Sequence, residues 1–269
     1  LSFFIDEELT EGLKKVSREH DVTLFMTLMA ALNMLLYRHS GQEDILVGTT
    51  IANRNRAETE ALIGFFINSL VIRTDFSGRP SVGQLLERVR ETALGAYAHQ
   101  DLPFEKLVEE LQPTRDMSRS PLYQVNFTMG NTPHSTLELS GLTLSPFGMG
   151  ITSTKHDFTL IVEGEHSLVG LIEYNTDLFH EPTMVRMIEH LQIILQSIVA
   201  DPGQKVATLP LLSEAEQHQL LFAWNDTAAS FTPERILLHQ LFEAQAARSG
   251  AAVAVVYEGE QLSYAELDQ

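Results

Sequence analysis

The sequence predicts an α/β domain. Two patterns and one bulk property carry that expectation. Apolar residues recur at helical spacing in several long windows, and short runs rich in Ile, Leu and Val lie between them. Helices mixed with short apolar strands indicate a sheet packed against helices. The 269 residues are 44% hydrophobic and 20% charged, ordinary values for a chain that buries a core. That length allows one large domain, or one domain plus a fragment.

Residues 2–5 read as a strand, and residues 6–20 as a helix with Leu9, Leu13 and Val16 on one side. Thr23 can cap a second helix that runs to about Ser40, with Gly41 as its stop. This helix is apolar most of the way round, which predicts burial. Residues 44–52 predict a buried strand, and Asn53, Arg54, Asn55 and Arg56 a polar loop. A short helix is expected over 57–63 and a strand over 67–74. Ser81 with Gln84 is the signature of a capping box, opening a helix through Ala98.

Residues 99–127 predict a short helix, a charged turn and a strand. Pro103 suits a first helical turn, and Asp101 just before it can cap the free N–H groups. Phe104, Leu107, Val108 and Leu111 make one apolar face. Gln112 precedes Pro113, and the residue before proline is pushed out of the α region, so the helix stops. Tyr123, Val125 and Phe127 alternate with Gln124, Asn126 and Thr128, a strand with one apolar and one polar face.

That strand is expected to end at 131–133, with a further strand near 142–144 and a Gly-rich bend at 148–150. Strands are expected over 155–163 and 168–175, joined by a hairpin turn at 164–167. Residues 181–200 predict a long helix with Pro182 in its first turn and Met184, Ile188, Leu191 and Leu195 as its inner face. Asp201, Pro202 and Gly203 mark a boundary. Residues 208–212 look extended, and Ser213 with Glu216 is another capping-box start. The final residues are too few to bury a core of their own.

Bulk charge narrows the function classes. Lys and Arg number 18 and Asp and Glu 36, a formal net charge of −18, which repels phosphate backbones and anionic lipid. Nucleic acid and membrane are therefore not expected partners. With no cysteine, disulfides, thiol catalysis and cysteine-ligated metal are excluded. Residues 1–5 are too short for a secretion signal, and the apolar run 22–37 is too short to span a bilayer. A cytoplasmic protein is expected. The chain lacks an initiator Met and begins inside an apparent strand, so it reads as an excerpt of something larger. Its histidines are scattered without metal-ligand spacing.

Three motifs carry a family resemblance: IGFFINSLVIR at 63–73, HQDLPFEKL at 99–107 and RDMSRSPLYQV at 115–125, in that order. They resemble signature motifs of nonribosomal peptide synthetase condensation domains. The resemblance implies a chloramphenicol acetyltransferase-like α/β lobe, a mixed and mainly antiparallel sheet flanked by helices. It covers 1–200 as the C-terminal lobe only, because the family's catalytic His-His-x-x-x-Asp-Gly motif belongs to the N-terminal lobe and no His-His pair occurs in this sequence. Residues 201–223 then read as an inter-domain linker, and 224–269 resemble the opening of an adenylation domain. The implied activity is acyl transfer, joining carrier-bound aminoacyl or peptidyl thioesters into an amide, with this chain inactive alone. The implied partners are donor and acceptor peptidyl carrier proteins with their 4'-phosphopantetheine arms, an upstream N-lobe and a downstream adenylation domain. No cofactor is expected to bind the chain directly. A non-catalytic module that docks carriers or buttresses its neighbour is the alternative. Lys14, Lys15 and Arg18, or Arg88 and Arg90, are candidate basic patches for acidic carriers.

No catalytic residue is expected within the chain. Arg54 is the first site candidate, because the resemblance suggests an arginine here that pairs with the aspartate of the upstream motif; a solvated loop arginine is the plain alternative, and Arg56 lies close by. Asn68 and Ser69 interrupt an apolar run, and a buried polar pair needs partners, either substrate amides or neighbouring backbone. Gln124 and Asn126 share a polar strand face, which either lines the tunnel or meets water. Asp101, Pro103, Arg115, Asp116 and Arg119 are expected to hold the motif loops together through caps and ion pairs. His99, at a helix end, is expected to be structural, and the role of His156 before Asp157 stays open.

Overall fold

The computed structural model describes residues 1–54, 57–60, 62–114, 116, 119–130, 153–229 and 237–269, with only the backbone of Ala57 and Glu60. They divide into two compact units, Leu1–Glu216 and Gln217–Gln269.

The first unit contains β1 (Ser2–Ile5), α1 (Glu7–Glu19), α2 (Leu24–Ser40), β2 (Asp44–Ile51), α3 (Ala57–Glu60), β3 (Asn68–Asp75), α4 (Val82–Ala98), α5 (Phe104–Leu111), β4 (Val125–Gly130), β5 (Phe158–Gly164), β6 (Leu168–Tyr174) and α6 (Glu181–Ala200). The six strands form one sheet in the order β1-β6-β5-β4-β2-β3. Two neighbouring pairs, β2 with β4 and β4 with β5, are parallel; the other three are antiparallel. The sheet is therefore mixed and mainly antiparallel, as expected.

Helices α1, α2, α4 and α6 pack together over one face of this sheet. Val47, Ile72, Phe127, Leu160 and Ile172 point into that layer from the strands, and Met29, Leu32, Leu85, Leu191 and Leu195 meet them from the helices. Helix α2 is the centre of the core: residues 26–35 are all buried. Its all-round apolarity has this cause, since each fully buried Leu or Met contributes about 1.5–3 kcal/mol. Thr23 caps its start and Gly41, at φ 70°, ends it. The capping box of Ser81 and Gln84 forms on α4.

The hairpin between β5 and β6 turns at Gly164, whose φ of 125° no L side chain adopts readily. The segment after α6 stays with the first unit. A 3₁₀ turn, Val206–Thr208, buries Val206, and Leu209 is buried beside it. Arg38 Nη1 donates to the carbonyls of Val206 (3.2 Å) and Leu209 (2.6 Å). Helix α7 (Glu214–Leu221) starts with the predicted box, Ser213 N donating to Glu216 Oε2 at 2.9 Å and Glu216 N to Ser213 Oγ at 3.2 Å.

In the second unit follow α8 (Leu238–Ser249), the hairpin β7 (Val253–Tyr257) with β8 (Glu260–Ser263), and α9 (Tyr264–Leu267). Among its described residues only Ala246 is a buried hydrophobic, while Val255, Val256, Tyr257 and Leu262 are exposed. It buries almost no core of its own. Helix α3 is shorter than the sequence suggested, and Leu62, Ile63, Phe65 and Ile67 beyond it are exposed. The features expected at 131–133, 142–144 and 148–150 lie outside the described residues.

Candidate functional site

The face of the sheet opposite the helices carries the polar strand residues. Register places Val71, Gly48, Asn126, Thr159 and Glu173 side by side across β3, β2, β4, β5 and β6. Thr50 with Ser69, and Ile161 with Leu171, flank that row on the same face. Most of these residues are half-buried, and Thr50 is exposed. No described strand residue of this face is a histidine; its titratable groups are Glu163 and Glu173 and, on the β2–β3 side, Asp44, Arg73 and Asp75.

Asn126, at 6% exposure, sits at the centre of this row. Its Nδ2 donates to Thr128 Oγ1 at 3.2 Å. Gln124 is placed differently: it precedes β4, and its Nε2 donates to Ser120 O at 3.1 Å. The structure thus puts Asn126, not Gln124, within the row.

Asn68 belongs to the other face and is fully used within the protein. Its Nδ2 donates to Gln100 O and Leu102 O, both at 2.8 Å, and its Oδ1 accepts from Ser69 N (3.0 Å) and Phe104 N (3.1 Å). Two amide hydrogens and two lone pairs exhaust the side chain. The reading in which Asn68 satisfies neighbouring backbone is the one the geometry supports. The expected cap from Asp101 is corrected by the same bonds. Pro103 is the N-cap of α5 and has no side-chain cap, so the first N–H of the helix goes to Asn68 from β3. Helix α5 ends at Gln112 as expected, but in the left-handed region (φ 43°, ψ 51°) rather than an extended conformation.

Arg54 braces the loop before β3. Its Nη1 donates to the carbonyls of Thr59 and Leu62, the latter at 2.8 Å, and its guanidinium lies 4.3 Å from the Phe66 ring centroid. Asp116 and Arg119 form an exposed pair at 3.9 Å, a weak contact. Arg115 and Arg56 lie outside the described residues. His99 closes α4, its N–H reaching Ala96 O at 3.2 Å. The candidate basic patches are largely neutralised locally. Lys14 pairs with Glu11 (2.8 Å), Lys15 with Glu19 (3.9 Å) and Arg90 with Asp21 (2.6 Å), while Arg88 holds the carbonyls of Asp75 and Ser77.

Two groupings were not legible in advance. In the first, Tyr123 leaves the apolar face its alternation assigned and lies on Gly48, against Phe104 (5.6 Å, 66°) and His156 (5.1 Å, 32°). Burial lowers the His156 pKa, with Lys155 adding to the effect and Asp157 opposing it. In the second, His39, His190 and Glu216 form a chain from α2 through α6 to α7. His39 Nε2 and His190 Nδ1 are 3.0 Å apart, and His190 Nε2 is 3.2 Å from both Glu216 oxygens. Burial, then the charges of His190, Arg186 and Arg38, push the His39 pKa down. Burial pushes the Glu216 carboxyl up, but hydrogen bonds from Ser213 and the His190 contact pull it below the ordinary value. Among the described residues, no group of three or more His, Asp or Glu side chains is arranged to hold a metal ion. No single described helix is long and apolar enough to cross a membrane.

Comparison with known proteins follows the same lines. Residues 1–221 match the family described as "Condensation domain". A linear gramicidin synthase polypeptide of Brevibacillus parabrevis is 51% identical over 265 residues, 97% of this chain and 5% of that protein. Gramicidin S synthase 2 of Brevibacillus brevis is 36% identical over 271 residues, 100% of this chain and 6% of that one. The chain thus spans only a small part of these relatives. A holo four-domain nonribosomal peptide synthetase crystallised with AMP and glycine superposes with a TM-score of 0.85 at 25% identity, covering 99% of this chain and 21% of that one. The first condensation domain of the calcium-dependent antibiotic synthetase, in complex with a substrate analogue, shares the fold alone: TM-score 0.63, 20% identity, 79% of this chain and 46% of that one. The chain belongs to the condensation-domain family.

Proposed function

We propose that residues 1–216 are the acceptor-side lobe of a condensation domain in a nonribosomal peptide synthetase elongation module. Its reaction is amide formation between carrier-bound thioesters. The acceptor amine nitrogen attacks the donor thioester carbonyl, the C–S bond breaks, and the amine proton passes through a base to the departing thiolate. The observation that carries this reading is a polar sheet face with no histidine among its described strand residues, in a sequence without any His-His pair. The base comes from a segment outside these 269 residues. Such general base help is typically worth about 10²–10⁴-fold in rate. The lobe supplies the other wall: Asn126 and, two strands away on the same face, Ser69 face the passage, and Arg54 meets the aspartate of the upstream motif.

The partners are donor and acceptor carrier proteins, whose 4'-phosphopantetheine arms enter the passage, and an upstream lobe. Residues 224–269 are the start of an adenylation domain, and the exposed faces of β7 and α8 are covered by its remainder. The protein works in the cytoplasm. A non-catalytic docking module is the second reading, favoured by the same missing base. The test joins the upstream segment and supplies loaded carriers. Amide formation supports the enzyme; carrier binding without amide formation, from a joined protein with an intact His-His motif, supports docking.

A further inference from the structure

Tyr123 is held by a costly local arrangement that core packing does not explain. Its N–H donates to Pro121 O at 3.0 Å, and Leu122 between them has φ 70°. That is a γ-turn with its central residue at positive φ, a rare and strained form. A branched residue in this region is an outlier, and such strain persists only where surrounding structure over-determines it. The surroundings do so here. A Cβ on Gly48 would sit 2.1–2.4 Å from the Tyr123 ring, so only glycine lets the ring lie against β2. Phe104 and His156 close on the ring from other directions. His156 accepts a further cost, its buried Nδ1 having no hydrogen-bond partner among the described residues.

The phenol ring is thus fixed, yet its polar end is not used. Tyr123 is 4% exposed, and its hydroxyl has no hydrogen bond among the described residues. Gly48, beneath the ring, is the register partner of Asn126. The Asn126 Nδ2 is used by Thr128, while its Oδ1 has no hydrogen-bond partner among the described residues. The Tyr123 ring and the Asn126 side chain therefore occupy neighbouring positions on the sheet face, each with an oxygen that makes no hydrogen bond among the described residues.

We propose that Tyr123 is a substrate-binding residue, presenting its hydroxyl beside Asn126 to the amide groups of a carrier-bound acyl chain. This rests on the acyl-transfer reading above. The strained turn and the Gly48 notch fix the hydroxyl before the substrate arrives.

The test uses the protein joined to its upstream segment and the variant Tyr123→Phe, which keeps the ring and its packing. The probe is an aminoacyl-pantetheine amide, which cannot react, with its Kd measured by titration calorimetry. Loss of one hydrogen bond predicts about three- to tenfold weaker binding and a similar rise in KM for loaded carrier, with kcat little changed and the melting midpoint unaltered. Equal Kd values for the two proteins, or no binding of the probe to wild type, overturn the proposal. Failure of the wild-type protein to form amide while Tyr123→Phe still weakens the probe counts against acyl transfer alone.

Discussion

Replacing Asn68 with alanine removes the clamp between β3 and the turn that leads into α5. Three long-range hydrogen bonds disappear: two to the carbonyls of Gln100 and Leu102, and one from Phe104 N. Each is worth about 0.5–1.5 kcal/mol net. The bond to Leu102 is exposed, so its carbonyl rehydrates cheaply and the lower end applies. The Phe104 N–H is different, because it is the only side-chain cap of α5, and a lost cap costs about 1 kcal/mol. The total is about 2–3 kcal/mol, which for a unit of this size lowers the melting midpoint by roughly 4–12 °C. Circular dichroism at helical wavelengths follows the melt. Hydrogen exchange at the Phe104 amide isolates the cap and should speed up about fivefold, the equivalent of about 1 kcal/mol. Asn68→Asp keeps the acceptor but loses both donors, so it should retain Phe104 protection while losing most of the stability. An alanine variant that melts within 1 °C of wild type, with unchanged exchange at Phe104, would refute the reasoning.

Gly48→Ala should destabilise by about 1–3 kcal/mol, since its Cβ drives the Tyr123 ring off β2; a change in the near-ultraviolet circular dichroism of the tyrosines reports the displacement. The chain of His39, His190 and Glu216 sets a pH dependence. His39 and Glu216 both have folded-state pKa values below their ordinary 6.5 and 4.5, so the folded state disfavours their protons. Their contribution is present above those ordinary values and is lost on acidification, first through the His39 range and then through that of Glu216. His39→Gln should remove the upper step in denaturation midpoint against pH and leave the lower one; two unchanged steps would contradict the assignment. Arg73→Met should leave the melting midpoint almost unchanged, because its bidentate pair with Asp44 is exposed on both sides and screened by solvent.

How much was legible depends on how far apart the partners lie. Helix α2 was readable because ten consecutive buried residues leave no polar face to hide the signal. The capping boxes at Ser81 and Ser213 were readable because donor and acceptor lie three residues apart. The cap of α5 was not, since Asn68 reaches it from 36 residues away and Asp101 offered a local alternative. Tyr123 was misplaced because alternation presumes an unbroken strand, and the turn at Leu122 reverses the face before β4 begins. Of the site, the polar strand face and Asn126 were visible. The Gly48 notch was not, because a glycine within an apolar run gives no hint of which ring will fill it. His190 looked like one scattered histidine, and only the fold brings Glu216 to it across 26 residues.

The most direct test compares amide formation from loaded donor and acceptor carriers by residues 1–269 alone and by the same chain joined to its upstream segment. The account predicts product only from the joined protein, and its loss when the upstream histidine is replaced by alanine. Turnover by residues 1–269 alone at the rate of the joined protein would contradict it.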